Sequence, residues 1–326
     1  MFQMITGYWV TQVVCTAAEL NVADHLDSGP VKAAELAKAE SLDPVAAFRF
    51  LRACQAVSLV TCEDGENFAA TPLLRTLRTG RGSLRDLALW GGMTSHWQPW
   101  GRLTEAIRSG EPQAPAVMGQ DLFGYFAEHP EEGDLFTAAM TAMTDGVAEH
   151  LADVIDVCGT ETVVDVGGAA GAFVQTLMTR HPELRGAVLD LPHVADAAAA
   201  SAARAGVADR FCFTGGDFFD SVPAGDVYLL KYVLHDWDDE SAVRILRTCL
   251  RSLNPGGRIL VAELVVDTDD ASGLPPLMDL NMLTLSNGGR ERSRSEFESL
   301  FRAAGLRLGR VTPSASLMSV VEAVPA

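Results

Sequence analysis

Basic residues are scarce in this chain. Its 326 residues include 25 lysines and arginines against 43 aspartates and glutamates, which gives a formal net charge of −18. Because so acidic a chain repels a phosphate backbone, the composition argues against general binding of nucleic acids. Hydrophobic residues make up 48% of the chain, enough for two packed domains or for one large domain with an appendage.

Paired cysteines and a long apolar leader are also lacking. The six cysteines are scattered, with no Cys-x-x-Cys pair, so we expect reduced thiols in the cytoplasm rather than disulfides or a zinc site. Residues 1–10 contain neither a basic region nor a long apolar segment. Neither secretion nor insertion into a membrane is therefore indicated. We expect no metal and no membrane partner.

The stretch 161–171 organises the rest of the chain. Residues 163–166 are rich in valine, which is typical of a short strand buried on both faces. Gly167 and Gly168 follow at once, and apolar residues at helical spacing resume after Gly171. Strand, glycine turn and helix predict the first half of a nucleotide-binding βαβ unit. The turn lacks a Gly-Lys-Ser/Thr ending, which favours an adenosyl ligand without phosphates.

A second predicted strand, 186–189, ends at Asp190, which lies 25 residues after Asp165. Such folds place an acid at about this distance to accept hydrogen bonds from ribose hydroxyls. The alternation of strands and helices then continues, with strands predicted over 210–213, 226–231 and 258–263. Two last strand-like runs, 306–312 and 317–324, lie so close together in the chain that they favour an antiparallel edge.

The N-terminal region is predicted as a winged-helix module. Helices are expected over 8–26, 31–39 and 44–59, the last with Asp43 as its N-cap. Asp64-Gly65 between two short strand-like runs predicts a hairpin. The candidate recognition helix offers only Arg49 and Arg52 as basic residues, so dimerisation is favoured over the rival hypothesis of a DNA-binding regulator.

Several motifs occur in an order that, taken together, is characteristic of a known family. They are Val163-Val-Asp165-Val-Gly-Gly168, Asp190-Leu-Pro, Gly216-Asp-Phe-Phe, Lys231-Tyr-Val-Leu-His-Asp-Trp237 and Gly288-Gly-Arg-Glu-Arg292. Together they resemble the S-adenosylmethionine-dependent O-methyltransferases of the caffeate and plant-phenol type, including bacterial members that act on antibiotics and other natural products. The resemblance covers essentially the whole chain.

The resemblance implies an α/β fold with two domains. It places a Rossmann-like class I methyltransferase domain at 99–326, with helices that cover the substrate at about 99–150. An all-helical winged-helix domain at 1–98 would make the homodimer. The stretch 83–150 is rich in aromatic residues and methionine, which fill a core or cover a flat apolar acceptor.

The resemblance also implies S-adenosylmethionine as the cofactor and S-adenosylhomocysteine as its product. Gly167 would lie against the methionine part, Asp190 would bind the ribose hydroxyls, Asp217 and Phe218 the adenine, and Lys231 the region near the amino-acid end. The other expected cofactor contacts are Asp165, Gly168, Leu191 and Gly216. In one departure from the family, Ala169 stands where members usually have a third glycine, and its methyl requires a negative φ or local room.

His235 follows the predicted strand 226–231, at the carboxyl end where ligands bind in open α/β sheets. A phenol has a pKa near 10, and histidine, with an ordinary pKa of about 6.5, can accept its proton. Glu263 or Glu291 can hold the other ring nitrogen. The resemblance implies His235 as the general base flanked by both glutamates. The expected substrate contacts are Met143, Asp236 and Met282.

These expectations describe an O-methyltransferase that acts on a hydroxyl, of phenolic type, in an aromatic natural-product intermediate. Methylation of nitrogen stays open, as does chemistry other than methyl transfer, such as hydroxylation. An NAD-dependent oxidoreductase would share the opening βαβ unit, but nothing in this sequence resembles its catalytic residues.

Overall fold

The computed structural model describes residues 1–80, 82–266 and 273–326. These residues form two compact units, one of 1–97 with 126–143 and one of 98–125 with 144–326. The division at 97/98 lies one residue from the expected domain boundary. The segment 126–143, however, packs with the N-terminal unit and not with the domain expected at 99–326.

The first unit is mostly helical. Its helices are α1 Phe2–Ile5, α2 Gly7–Glu19, α3 Val22–His25, α4 Ala33–Ala39, α5 Pro44–Ala56, α6 Pro72–Arg75, α7 Arg85–Gly92 and most of α8 Thr94–Trp100. Three short strands, β1 Val31–Lys32, β2 Val60–Thr61 and β3 Asn67–Ala70, form an antiparallel sheet in the order β1-β3-β2. The predicted hairpin is confirmed as the β2–β3 pair, whereas β1 was not predicted.

The three predicted helices of this unit have different bounds in the structure. The helix expected over 31–39 begins only at Ala33, because the two residues before it form strand β1. The helix expected over 8–26 is divided into α2 and α3, because Asn21 adopts the left-handed conformation with φ of 47°. Helix α5 ends at Ala56 instead of residue 59, and Ser58 is left-handed with φ of 62°. The N-cap of α5 is confirmed, since the Asp43 carboxylate accepts a hydrogen bond from the Ala46 N–H at 2.8 Å.

The second unit surrounds a seven-stranded sheet. Its strands are β4 Thr162–Val166, β5 Arg185–Asp190, β6 Phe211–Gly215, β7 Gly225–Lys231, β8 Leu253–Glu263, β9 Leu306–Pro313 and β10 Ser319–Pro325. They lie in the order β6-β5-β4-β7-β8-β10-β9. Strands β4 to β8 are parallel, and β10 is antiparallel to both β8 and β9, which confirms the antiparallel edge.

Strand β8 begins earlier than the sequence predicted. Residues 254–257 were expected to turn before a strand at 258, but β8 starts at Leu253 and pairs with β7 across an irregularity in register. The helices after the first unit are α9 Leu103–Ser109, α10 Ala114–Met118, α11 Leu122–Glu128, α12 Pro130–Ala152, α13 Ala172–Arg180, α14 Ala195–Ala205, α15 Asp239–Ser252, α16 Pro275–Leu285 and α17 Arg294–Ala304. Helices α11 and α12 contribute residues to both units.

Both faces of the parallel sheet are covered. Val164 and Leu230 belong to a cluster on one face with residues of α15 and α17, while Val163 and Leu229 belong to a cluster on the other face with residues of α13. This explains the continuous apolar runs in the sequence. It also brings the carboxyl ends of β4, β5, β7 and β8 to one edge of the sheet, where the candidate site lies. In the described part of the chain, no helix is long and apolar enough to cross a membrane.

Candidate active site

The glycine turn after β4 requires residues without side chains. Gly167 is left-handed with φ of 70°, and a Cβ there would lie 3.0 Å from Cγ2 of Val233. At Gly168 a Cβ would lie 2.5 Å from the carboxyl carbon of Asp165, so the turn rests directly on that side chain. The backbone of the turn is thus bare on the side of the β7 end, as close approach of a ligand requires.

Ala169 adopts a left-handed backbone conformation. The sequence required either a negative φ or local room for its methyl group, and the φ of 49° lies in the left-handed region, so the negative φ is not adopted. This conformation costs an alanine about 1–2 kcal/mol relative to its usual backbone. It directs the Ala169 N–H to Asp190 Oδ2 at 2.7 Å, and this hydrogen bond holds the turn in place.

Asp190 ends β5 and connects the neighbouring turns. Its Oδ1 accepts a hydrogen bond from the Leu191 N–H at 2.7 Å, and its main-chain oxygen accepts one from the Gly216 N–H at 2.9 Å. Burial raises the pKa of the Asp190 carboxyl, and the hydrogen bonds from Leu191 and Ala169 oppose that shift. A carboxylate has about four acceptor positions, so capacity remains for two ribose hydroxyls. The Leu191 side chain is exposed.

The candidate adenine residues follow β6. The Asp217 carboxylate accepts a hydrogen bond from the Phe219 N–H at 2.8 Å, which fixes the turn. The Phe218 ring lies 5.0 Å from the Phe219 ring and meets Trp237 edge to face at 6.0 Å. An aromatic wall therefore stands beside the ends of β5 and β6.

Lys231, which is partly buried, and Asp165, which is buried, are ionisable groups near the carboxyl ends of adjacent strands. Burial lowers the pKa of Lys231 to about 8, although the charges of Asp165, Asp236 and Glu263 partly offset this effect. Burial likewise raises the pKa of Asp165 to about 7, with Lys231 opposing. Burial disfavours the charged form of each group. Ionisable groups with such shifted pKa values are typical of functional sites, where a charged ligand can interact with them.

His235 lies in a short 3₁₀ turn, Leu234–Asp236, beyond the end of β7. Its Nδ1 is 2.8 Å from Oε1 of Glu291, and its Nε2 is 3.6 Å from Oδ1 of Asp236. Glu263, at the end of β8, does not hold the ring: its Oε1 accepts a hydrogen bond from the His235 main-chain N–H at 3.1 Å. Of the two glutamates considered for the ring, Glu291 is therefore the one in contact.

Glu291 and Glu263 are deeply buried beside His235, and Asp236 is partly buried. Burial raises the pKa of Glu291 to about 8, with Asp279 adding to the shift and Arg292 opposing it. Burial also raises the pKa of Glu263, and raises that of Asp236 to about 6. Within the described residues, Oε2 of Glu263 and Oε2 of Glu291 have no hydrogen-bond partner. Buried acceptors of this kind mark a site built to receive donors.

Arg292 is a site residue that the sequence reasoning did not single out. It is fully buried and donates to the main-chain oxygens of Leu234 at 2.7 Å and Trp237 at 2.8 Å, and to the Asp239 carboxylate at 2.9 Å. The guanidinium thereby holds the turn that carries His235 from both sides. Its position directly after Glu291 in a motif was the signal that could have identified it.

The three expected substrate contacts fall in different places. Asp236 lies beside His235, and Met282 is a buried residue of α16. Met143 belongs to the portion of α12 in the first unit. Near Met282, the Trp100 indole N–H donates to Oδ1 of Asn281 at 2.7 Å, which ties the segment 98–125 to α16.

An open α/β sheet with a bare glycine turn, an acid after the second strand and this topology defines the class I methyltransferase fold. Residues 100–307 match the O-methyltransferase domain, and residues 2–80 match the O-methyltransferase dimerisation domain. The chain therefore belongs to the O-methyltransferase family and is a methyltransferase. The family and the fold class expected from the motifs are confirmed.

Several relatives match along nearly their whole length. The phenazine O-methyltransferase PhzM of Lysobacter antibioticus is 39% identical, covering 100% of this chain and 95% of the relative. A phenazine-1-carboxylate N-methyltransferase of Pseudomonas aeruginosa is 29% identical, and the match covers 95% of this chain and 92% of the relative. The crystal structure of LaPhzM matches with a TM-score of 0.96 at 39% identity, covering 100% and 98% of the two chains.

A further solved relative contains ligands. NcsB1 from neocarzinostatin biosynthesis, solved with S-adenosylhomocysteine and 1,4-dihydroxy-2-naphthoic acid, matches with a TM-score of 0.81 at 35% identity, covering 97% of this chain and 96% of its own. Bound S-adenosylhomocysteine in such a relative confirms the expected cofactor at the level of the family.

Proposed function

We propose that this methyltransferase transfers a methyl group from S-adenosylmethionine to a hydroxyl on an aromatic acceptor, with His235 as the general base. Relatives named for phenazine and naphthoate acceptors support an aromatic, fused-ring substrate. The observation that carries the proposal is the buried pair of His235 and Glu291, whose ring nitrogen and carboxylate oxygen are 2.8 Å apart.

The residues at the strand ends fit the cofactor. Gly167 adopts a left-handed backbone and has no side chain at the carboxyl end of β4, which suits close approach of the cofactor to the main chain. The remaining acceptor capacity of Asp190 suits ribose hydroxyls, while Asp217 and Phe218 suit the adenine and Lys231 the amino-acid end. When bound, S-adenosylmethionine supplies an electrophilic methyl group on a positively charged sulfur.

Residues of this chain would carry out the proton transfer. Glu291 accepts the hydrogen bond from Nδ1–H of His235, which leaves Nε2 with its lone pair available. Nε2 would take the proton of the acceptor hydroxyl, while the acceptor oxygen receives the methyl group and the electron pair of the broken sulfur–carbon bond leaves with S-adenosylhomocysteine. The Glu291 carboxylate then faces the imidazolium and stabilises it, while Glu263 and Arg292 hold the turn through its main chain.

Methylation of nitrogen is the second candidate, because one relative carries that name. An amine acceptor has its lone pair free near neutral pH and needs a base less than a phenol does. The buried His235 and Glu291 pair, which costs desolvation to maintain, therefore favours a hydroxyl acceptor.

We also propose that the protein works as a homodimer in the cytoplasm. The first two helices expose apolar side chains that need a partner surface, among them Phe2, Met4, Ile5, Tyr8 and Trp9. All six cysteines are free thiols, which suits a reducing compartment. A mass of one chain at every concentration in light scattering would contradict the dimer.

Matched acceptors test the function. Pairs of naphthoates and phenazines that differ only in carrying a hydroxyl or an amino group are incubated with the enzyme and S-adenosylmethionine. The masses of the products are then measured by mass spectrometry. We expect one added methyl group on the hydroxyl member of a pair and release of S-adenosylhomocysteine. Methylation of the amino member alone, or addition of oxygen instead of a methyl group, would contradict the proposal.

A further inference from the structure

Tyr232 has a backbone conformation that is unusual for an aromatic residue. Its φ is 53°, in the left-handed region, at the point where β7 ends and the turn with His235 begins. Its N–H still donates to the main-chain oxygen of Ala262 at 3.2 Å, so the strand ladder holds the residue up to the bend. Bulky residues rarely adopt this conformation, and such strain is concentrated at functional sites.

The bend brings the Tyr232 ring onto the imidazole of His235. The two rings are stacked, with centroids 4.7 Å apart and planes inclined by 14°. The single hydrogen bond between Nδ1 and Glu291 fixes the imidazole along one line but leaves its plane free to turn about that line. A parallel ring in contact fixes the plane as well.

We propose that Tyr232 is a positioning residue: its ring sets the plane of the His235 imidazole and stabilises the imidazolium formed when Nε2 takes the acceptor proton. The proposal rests on the function proposed above for His235. The negative face of an aromatic ring attracts a cation placed over it. The neutral imidazole gains less from this attraction than the imidazolium, so the stack favours the protonated product of the step.

Other charged groups also act on the imidazole. Glu291 contacts Nδ1, Asp236 lies near Nε2, and Glu263 accepts from the His235 main chain. The remaining charged and titratable groups nearby are Lys231, whose Nζ lies 4.7 Å from the centre of the Tyr232 ring, Arg292, which donates to the turn, and Asp279, which accepts from the Glu291 N–H. A change at residue 232 leaves these side chains unaltered but removes the contact between Lys231 and the ring, so the affinity for S-adenosylhomocysteine is measured to detect any effect that acts through Lys231.

The test compares rings at position 232 in the full-length enzyme. Tyr232→Asn removes the aromatic face with a residue that tolerates the left-handed conformation. Tyr232→Phe keeps the face and removes the hydroxyl. Incorporation of pentafluorophenylalanine at position 232 keeps the shape of the ring but reverses the charge of its face. This variant therefore tests the electrostatic role of the ring even if Tyr232→Asn folds poorly. Tyr228→Leu is the matched control, since it removes a buried tyrosine ring from β7, the strand that precedes Tyr232, at a position away from the site.

For each enzyme, kcat is measured against pH, together with KM for the acceptor and the affinity for S-adenosylhomocysteine. In Tyr232→Asn and in the fluorinated enzyme we expect kcat to fall about 3- to 30-fold, which corresponds to the loss of one cation–π contact in the transition state. The acidic limb of the kcat profile should move to lower pH, by about half a unit to one unit. Tyr232→Phe should retain most of the rate, and Tyr228→Leu should lose stability without moving the acidic limb.

His235→Ala, measured beside these enzymes, separates the two proposals. If His235→Ala is severely impaired while the acidic limb of Tyr232→Asn and of the fluorinated enzyme coincides with that of the wild type, the role of Tyr232 is wrong and the base assignment stands. If His235→Ala methylates at the wild-type rate, both are wrong. A loss in Tyr232→Phe equal to that in Tyr232→Asn would also overturn the inference, because the hydroxyl and not the ring would then carry the effect.

Discussion

Oε1 of Glu291 lies 2.8 Å from Nδ1 of His235, although 56 residues separate them in the chain. Both residues are nearly fully buried, with 5% of the surface of Glu291 and 6% of that of His235 exposed. The contact joins the turn after β7 to the segment after α16. An Nδ1–H that donates to this carboxylate would leave Nε2 as the nitrogen available to accept a proton, as the proposed function requires.

The contacts of Asp190 predict a loss of cofactor binding in Asp190→Ala. The ribose hydroxyls would lose their acceptor, and the N–H groups of Ala169 and Leu191 would lose theirs. We expect affinity for S-adenosylhomocysteine, measured by calorimetry, to weaken by about 1–3 kcal/mol. Asp209→Asn, which changes an exposed acid, is the control and should bind normally. Unchanged affinity in Asp190→Ala would show that its role is misassigned.

Two arginines that share the carboxylate of Asp239 offer a matched comparison. Arg292 is fully buried and holds the turn with His235, whereas Arg290 is exposed. Arg292→Lys cannot reach both main-chain oxygens with one ammonium group, so we expect a loss of about 2–4 kcal/mol in the free energy of unfolding and a lower kcat. Arg290→Ala should cost less than about 1 kcal/mol. Equal losses in urea unfolding would contradict the role given to Arg292.

Asp165 predicts how stability depends on pH. Its pKa is raised by burial to about 7, above the value of about 3.9 for an unfolded chain. Its contribution is fully present below the unfolded pKa and is lost as pH rises from about 4 to 7, at up to about 1.4 kcal/mol per pH unit. Asp236 and Glu291 act in the same direction, while Lys231 acts mainly above pH 8.

Urea unfolding between pH 4.5 and 7 measures this effect. Asp165→Asn, which carries no titrating group, should lose less stability over this range than the wild type. Asp209→Asn, as an exposed control, should follow the wild type. Parallel curves for the wild type and Asp165→Asn would show that Asp165 does not titrate in this range in the folded protein.

Local sequence patterns predicted most of the fold. The valine run before Gly167 predicted a strand covered on both faces, and the close pair of final strands predicted an antiparallel edge. The predicted N-cap at Asp43 is present, because it is a contact between residues three positions apart in the chain.

Features that depend on backbone conformation or distant contacts were not predictable. The left-handed φ of Asn21, Ala169 and Tyr232 follows from the surrounding structure and not from residue type alone. The choice between Glu263 and Glu291 as the partner of the His235 ring depends on the directions of two side chains from separate segments. The sequence identified both candidates but did not distinguish them.

The rate of methyl transfer in His235→Ala tests the central claim most directly. Its affinity for S-adenosylhomocysteine serves as the check on folding. Glu291→Gln, which keeps an acceptor for Nδ1–H but removes the charge that faces the imidazolium, should lose less. The base assignment predicts that cofactor affinity stays nearly intact while the rate near neutral pH falls about 10²–10⁴-fold, with partial recovery at high pH as the acceptor ionises by itself. Methylation by His235→Ala at the wild-type rate near neutral pH would contradict the assignment. The rate enhancement would then come from holding the acceptor close to the cofactor, without a general base.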